Sequence, residues 1–319
     1  MSYYLGIDFG GTALKIGITD ENGTIQTKQS FETVKHNEPD KIATAIGKCA
    51  LKVINECGIP QDRIKGAGIG APGLLNPETG QLKFVTNLQI LNGYYLTPAI
   101  EKIIKRPTFL DNDVNAMALG EFFYGAAKGY SHVIALTLGT GIGGGLILNG
   151  KLYHGASFTA GEIGHVSIDS NGLLCKCGNY GCIEQYANRE GIVSRFRAYY
   201  IHKEMKSAID RFLEDGEITP KSIALAAEAG DHLSKLVLTE VGTCLGVALA
   251  SYVNALNPEI IVIGGGIANA GELILGPARN EMMKRAYTVP ARAVKVVPAK
   301  LKNDAGIIGA ASIAVNKLG

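Results

Sequence analysis

Three cysteines and a histidine stand close together in the chain: His165, Cys175, Cys177 and Cys182. Four nitrogen and sulfur donors suit tetrahedral zinc. Gly172, Gly178 and Gly181 lie among them, and short glycine turns let closely spaced ligands converge. A redox pair or an incidental cluster is the plainer alternative. A four-ligand site is closed, so a zinc ion here is expected to hold structure rather than activate water. Glu162 precedes the cluster and Glu184 follows it. A metal-fixed loop would hold those two carboxylates in place to accept hydrogen bonds from sugar-like hydroxyls, unless they are ordinary surface glutamates.

Glycine supplies the second kind of candidate. The chain has 41 glycines in 319 residues, against a usual share of about 7%. They gather at Gly10-Gly11, Gly66 to Gly73, Gly139 to Gly145 and Gly264 to Gly266, each after an apolar strand-like run. Tight turns in a β-rich fold would explain any one cluster. Four clusters point to loops whose consecutive N–H groups cradle phosphates, with the Thr12 and Thr140 hydroxyls as further donors. Asp8, ending the first strand, could position Mg²⁺ through water or merely cap its turn. No G-x-x-x-x-G-K-[ST] occurs, which excludes a P-loop. Gly139, Gly141 and Gly144 match G-x-G-x-x-G, but a dinucleotide site needs a helix next, and Leu146-Ile147-Leu148 reads as strand.

These loops need elements to hold them. The pattern predicts strands over Tyr3 to Phe9, Leu14 to Thr19, Thr24 to Phe31, Ala67 to Ala71 and Thr108 to Leu110. Helices are expected over Asp40 to Cys57, Pro98 to Ile104 and Asp113 to Tyr124. The pattern then restarts, with strands over His132 to Leu138 and Leu146 to Leu148 around a glycine turn. Asp8-Phe9-Gly10-Gly11-Thr12 and Thr137-Leu138-Gly139-Thr140-Gly141 are thus a weak internal repeat of two phosphate-facing hairpins. Past Glu184 the chain reads as helical, clearest over Ser222 to Ala229 and His232 to Leu256. A buried strand follows at Glu259 to Ile263, then a helix to Ala286, a strand at Val294 to Val297 and a helix from Ala305 to Val315. Alternating strands and helices predict an α/β protein. Cys49, Cys57 and Cys244 fall in apolar helical patterns and are expected in the core.

Six motifs in order resemble one family. They are Gly6-Ile7-Asp8-Phe9-Gly10-Gly11-Thr12, Gly68-Ile69-Gly70-Ala71-Pro72-Gly73, Asp111-Asn112-Asp113-Val114-Asn115-Ala116, Thr137 to Gly145, Gly161-Glu162-Ile163-Gly164-His165, and Cys175-x-Cys177-Gly178-x-x-Gly181-Cys182-x-Glu184. Together they resemble the ROK family, within the actin/hexokinase/Hsp70 superfamily. The resemblance implies a two-domain actin-like ATPase fold, with an ATP-dependent sugar kinase site in the cleft between domains. A small domain would take 1–120 and regain 304–319, and a large domain with the zinc loop would take 121–303. The catalytic base maps onto Asp113, which could also cap the helix that opens there, the two roles being compatible. Sugar contacts map onto Gly73, Asn87, Asn112, Asp113, Glu162, His165 and Glu184, with His165 using its other ring nitrogen for zinc. Phosphate contacts map onto Gly10, Gly11, Thr12, Gly139 and Thr140, and adenosine onto Gly265 and Gly266. ATP, Mg²⁺ and structural Zn²⁺ are the implied cofactors, and a homodimer the implied assembly. Family glucokinases commonly carry Asn-Leu-x-x-Trp. Here Asn87-Leu88-Gln89-Ile90-Leu91 keeps the asparagine, and the chain has no tryptophan; if that aromatic shapes the sugar pocket or its backing, its loss argues against glucose. Glucose is the leading substrate, N-acetylmannosamine the alternative, with N-acetylglucosamine, fructose and β-glucosides behind.

Composition bounds the rivals. The 31 basic and 29 acidic residues leave a formal charge of +2, which offers no footprint for nucleic acid or a membrane surface. No apolar run is expected to reach the roughly 18 residues that a membrane helix needs, and no leader pattern precedes the first strand; a cytoplasmic protein is expected. The family also includes sugar-responsive repressors with an N-terminal DNA-binding domain, for which Gly6 leaves no room. A silent sugar-binding scaffold is opposed by the presence of Asp113 and both phosphate loops.

Overall fold

The computed structural model describes every residue except Thr12, Val34, Lys35, Thr86, Asn87, Lys203, Glu204 and Gly319. The first elements are β1 (Tyr3–Phe9), β2 (Ala13–Asp20), β3 (Ile25–Glu32), α1 (Pro39–Glu56), β4 (Ile64–Ala71), β5 (Leu74–Asn76), β6 (Gln81–Phe84), α2 (Leu96–Ile104), β7 (Thr108–Asn112) and α3 (Asp113–Tyr124). Next come β8 (Val133–Leu138), β9 (Ile142–Leu148), β10 (Lys151–Leu152), α4 (Glu184–Ala187), α5 (Arg189–Arg197), α6 (Pro220–Glu228) and α7 (His232–Leu256). The last are β11 (Ile260–Gly264), α8 (Glu272–Arg285), α9 (Thr288–Ala293), β12 (Lys295–Pro298) and α10 (Ala305–Leu318).

Contacts divide the chain into two units. One is Met1–Tyr130 with Gly145–Ala160 and Lys300–Gly319; the other is Ser131–Gly144 with Gly161–Ala299. In the first, the sheet order is β3-β2-β1-β4-β7. β1, β2 and β3 form an antiparallel meander, while β4 and β7 run parallel to β1. Alternation along β1 sorts its side chains: Leu5, Ile7 and Phe9 enter the core under α1, whose Ile42, Ile46, Ala50 and Val53 recur at helical spacing. The opposite face meets α10 almost backbone to backbone. A Cβ at Gly68 would lie 1.9 Å from the Ala310 carbonyl oxygen, and one at Gly6 would lie 2.1 Å from that of Ile307. These strand glycines therefore exist for close packing.

In the second unit β8, β11 and β12 are parallel, with Thr137 opposite Gly264 and Ile263 opposite Pro298. β9 lies on the other side of β8. The end of β9, within the first unit, pairs antiparallel with β10. The expected repeat is thus a repeat of topology: a hairpin, then two parallel strands. α7 runs from its N-cap Asp231, which accepts the Ser234 N–H at 2.8 Å, to Asn257, left-handed at φ 44. By length and composition alone α7 is long and apolar enough to cross a membrane, a span that the sequence reading passed over. Here 61% of its apolar window is buried inside the fold. Gly242 and Gly246 let it approach the α8 backbone, where a Cβ would meet the Ile274 and Ala278 carbonyls at 2.4 and 2.5 Å.

Candidate active site

β1, β4 and β7 are parallel and in register, with Asp8 opposite Gly70, Gly70 opposite Asp111 and Ala71 opposite Asn112. Their carboxyl ends therefore collect Asp8, the Pro72-Gly73 turn and the Asp111-Asn112-Asp113 turn along one edge, where open α/β sheets bind ligands. Asp8 is half-buried against the first turn of α10; a Cβ at Gly306 would lie 2.2 Å from its Oδ2. Burial pushes its carboxyl up, and Lys15, opposite it on β2, opposes the rise. Gly10 closes the β1–β2 turn, its N–H donating to Ala13 at 3.0 Å and its carbonyl accepting the Thr33 hydroxyl at 2.7 Å.

The helix cap is Asn112, not Asp113. Asn112 Oδ1 accepts the Val114 N–H at 2.8 Å, and its Nδ2 donates to the Gly73 carbonyl at 3.3 Å. Gly73 has φ 97, and a Cβ there would lie 2.2 Å from the Phe84 carbonyl oxygen, so only glycine fits. Asp113 opens α3 with its side chain reaching solvent, yet protein mass crowds round it. That desolvation lifts its carboxyl to about 6; the Val114 amide opposes the rise and the Asp8 charge adds to it.

In the second unit the Gly139-Thr140-Gly141 turn is held from three sides. The Gly139 N–H donates to Gly141 at 3.0 Å, the Arg189 N–H donates to Gly139 at 2.9 Å, and Glu184 Oε2 accepts the Ile142 N–H at 2.9 Å. Beside it opens a cavity of about 660 Å³, lined by Gly139, Thr140, Gly266 and Asn269, by apolar Leu225, Leu238 and Ile274, and by charged Arg189 and Glu228. A space of that size with a few polar groups suits a nucleotide. Gly265 has φ 88 and lies against Leu138, where a Cβ would meet a carbonyl at 2.3 Å.

The four metal-ligand candidates of the second unit come together, with one donor atom of each within 4.8 Å of all the others. Cys177 Sγ lies 3.6 Å from Cys182 Sγ, and Cys175 Sγ lies 3.6 Å from His165 Nδ1. A tetrahedron with arms of about 2.3 Å has edges of roughly 3.7 Å, so the donor set fits Zn²⁺ in size and chemistry. Burial, with the neighbouring thiols, pushes the Cys182 thiol up to about 12. A bound cation would reverse that by displacing its proton. With Nδ1 turned to the sulfurs, His165 Nε2 faces Glu162 Oε2 at 3.8 Å. The turn bearing both packs tightly on β9, since a Cβ at Gly164 would lie 2.1 Å from the Ile142 carbonyl.

Asp8, Gly73, Asn112 and Asp113 thus gather in one unit, with Gly10 and Gly11 at the β1–β2 turn. Gly139, Thr140, Gly265, Gly266, Glu162, His165 and Glu184 gather in the other. Thr12 and Asn87 lie outside the described residues. Leu91, at the missing tryptophan, is 0% exposed in the core of the first unit. The sequence reading passed over Asp111, Asn115 and His154, and the cavity residues of α6. Asp111 and Asn115 stood in a recognised motif; nothing in the sequence marked the others.

A carboxyl of raised pKa at strand ends, glycine turns beside a cavity of nucleotide size and a loop region carrying Glu162 and Glu184 offer groups that a phosphotransferase acting on a hydroxyl can use. The comparisons agree. The ROK family pattern matches residues 4–317, and the chain belongs to that family, whose kinases have the two-domain actin-like ATPase fold. It is 36% identical over 318 residues to a glucokinase of Thermotoga maritima, covering 99% of this chain and 98% of that protein. The crystal structure of a ROK family glucokinase from Streptomyces griseus, in complex with glucose and AMPPNP, is 32% identical with a TM-score of 0.81, and both chains are covered in full. A ROK family transcriptional regulator, a homolog of the E. coli MLC protein, is 27% identical with a TM-score of 0.89, over 98% of this chain and 78% of that one.

Proposed function

We propose that this ATP-dependent sugar kinase phosphorylates glucose at the C6 hydroxyl. The observation that carries the reading is the placement of Asp113 at the start of α3, on the edge where the carboxyl ends of β1, β4 and β7 collect, in a crowded setting that raises its carboxyl to about 6. Such a group is ionised at neutral pH yet a stronger base than an ordinary aspartate. Support for glucose comes from the Thermotoga glucokinase, similar over nearly its whole length, and from the Streptomyces glucokinase solved with glucose and AMPPNP. Leu91 is fully buried, so the side chain at the position of the missing tryptophan makes no direct contact with a sugar and can bear on the pocket only from behind it.

The chemistry is in-line phosphoryl transfer. As the C6 oxygen bonds to the γ-phosphorus, its proton passes to Asp113, the bond to the β,γ-bridging oxygen breaks and ADP leaves. Gly10, Gly11, Thr12, Gly139 and Thr140 would bind phosphates through amides and hydroxyls. Asp8 would hold Mg²⁺ through water, and adenosine would lie by Gly265 and Gly266. The sugar hydroxyls would meet Gly73, Asn87, Asn112, Glu162, His165 and Glu184. Zn²⁺ on His165, Cys175, Cys177 and Cys182 would keep the Glu162 and Glu184 loop in shape. A homodimer is the assembly that fits the family.

The test is coupled ADP release with MgATP and zinc-replete protein across glucose, N-acetylmannosamine, N-acetylglucosamine, mannose and fructose. Turnover with glucose far above the rest is expected. A clear preference for N-acetylmannosamine would replace the acceptor, and no sugar-dependent turnover at all would end the kinase reading.

A further inference from the structure

The Asp111-Asn112-Asp113-Val114-Asn115 motif contains two polar residues that the proposed chemistry does not use. Asp111 is only 2% exposed, an expensive place for a carboxylate unless every oxygen finds a donor. Its Oδ1 accepts the Asn112 N–H at 2.8 Å and Asn115 Nδ2 at 2.8 Å. Its Oδ2 lies 2.7 Å from His154 Nε2. A carboxylate only accepts, so the imidazole donates through Nε2.

Those three bonds grip both ends of the turn that carries Asp113. One fixes the peptide entering Asn112, one fixes the first turn of α3, and the third ties the carboxylate to the segment after β10. That segment is itself well held. The His154 carbonyl accepts the Ala160 N–H at 2.9 Å, and the ring meets Phe158 edge-on with centroids 6.4 Å apart. Phe158 stands at φ 64, a conformation a bulky residue adopts only where its surroundings enforce it. Lys83 Nζ lies 5.4 Å above the Phe158 ring.

We infer that His154 is a positioning residue. Acting through Asp111, it locks the Asn112–Asp113 turn and so aims the Asp113 carboxylate at the hydroxyl it deprotonates. The inference rests on Asp113 being the base. The function needs such a lock because proton transfer depends on a hydrogen-bond distance of about 2.6–3.2 Å, and a misplacement of about 1 Å can cost on the order of 100-fold in rate.

The ring nitrogen used makes the test specific. A glutamine amide can reach the Nε2 position, whereas an asparagine amide reaches only as far as Nδ1. His154→Gln and His154→Asn should therefore differ, although both are polar and uncharged. With the sugar that the wild-type protein turns over, His154→Asn is expected to lose about 10- to 100-fold in kcat, with KM for ATP within about twofold of wild type. His154→Gln should recover most of the loss. Rates are normalised to folded protein by near-UV circular dichroism, well below the Tm of each variant. Equal loss in the two variants, or kcat within about twofold of wild type in His154→Asn, would overturn the inference. Asp113→Asn, measured alongside, separates the two ideas: if it keeps near-normal kcat the base reading fails first, and if it is inactive while His154→Asn is not, only the positioning fails.

Discussion

The two units hold their functional groups by different means. At the strand ends of the first unit, the Asp111–Asn115 turn is held by side chains: Asn112 caps α3, and Asp111 binds Asn112, Asn115 and His154. No ion is needed for that geometry. In the second unit, Glu162 and Glu184 flank a stretch whose regular structure is limited to the short turn Ile163–His165 and isolated bridges such as Ser167 with Cys182. There, besides backbone bonds such as that from the Ile168 N–H to Gly181, the groups placed to cross-link the loop are one imidazole and three thiols, which the proposed Zn²⁺ would join. A turn built from buried hydrogen bonds should survive chelation and fail by point mutation. A loop built on four donors should do the reverse.

The largest effect is expected on the side-chain side. Asp113→Asn removes the proposed base and leaves the Asn112 cap intact, so kcat should fall about 10²- to 10⁴-fold with little change in sugar affinity. Single-turnover kinetics and equilibrium sugar binding check this together; a near-normal kcat would sink the assignment. On the other side, Cys182→Ser or a strong chelator should lower kcat/KM for the sugar by about 100-fold through displaced carboxylates, and should lower Tm as well. Returning zinc should restore the chelated wild-type protein but not the variant. If neither treatment touches sugar kinetics, the loop does not depend on its thiols and the contrast between the units collapses. A smaller, purely structural effect should come from Gly68→Ala, whose Cβ would lie 1.9 Å from the Ala310 carbonyl. Overpacking of that kind costs about 1–3 kcal/mol, so Tm should fall while kcat measured well below Tm is kept.

What could be read ahead of the structure follows from how local each signal is. Tyr3–Phe9, Asp113–Tyr124 and His232–Leu256 come out at their expected bounds, because each has a sharp boundary: a glycine pair after the first, a capping asparagine before the second, a left-handed Asn257 after the third. The β5–β6 hairpin was not expected, being three and four residues long. α5 buries only Ile192 and Phe196, too little to make a stripe. Cys49, Cys57 and Cys244 prove half-buried at the core's edge rather than inside it, and Cys57 lies just past the end of α1, with Sγ 3.0 Å from the Ile54 carbonyl. The cysteine set was legible because its four residues are near in sequence and have few other uses. The Asp111–His154 bond spans 43 residues, and a histidine with no local partner gives no warning of it. Leu91 shows another limit: a change inside a family motif suggests altered chemistry, and only the structure shows that this side chain lies in the core, where it can act on a pocket only as backing.

The finest distinction concerns what would make Asp113, the proposed base, a good one. Its pKa of about 6 comes first from desolvation, with the Asp8 charge a further contribution. Below that pH the carboxyl holds a proton and cannot take another, so kcat/KM should fall as pH drops through about 6. Asp8→Asn removes the like charge and should move this acid limb to lower pH, even where loss of a magnesium-positioning group lowers the rate at every pH. The stability of the protein must show the opposite sign. A raised carboxyl pKa means that the folded state binds the proton more tightly than the unfolded chain, so stability is lost as pH rises from about 4 to about 6. Asp113→Asn, which cannot ionise, should therefore have a higher Tm than wild type at pH 7, and the gap should close below about pH 4. A limb that stays in place in Asp8→Asn would leave desolvation as the whole cause. A Tm gap with no pH dependence would mean that the shift at Asp113 is not what tunes the base.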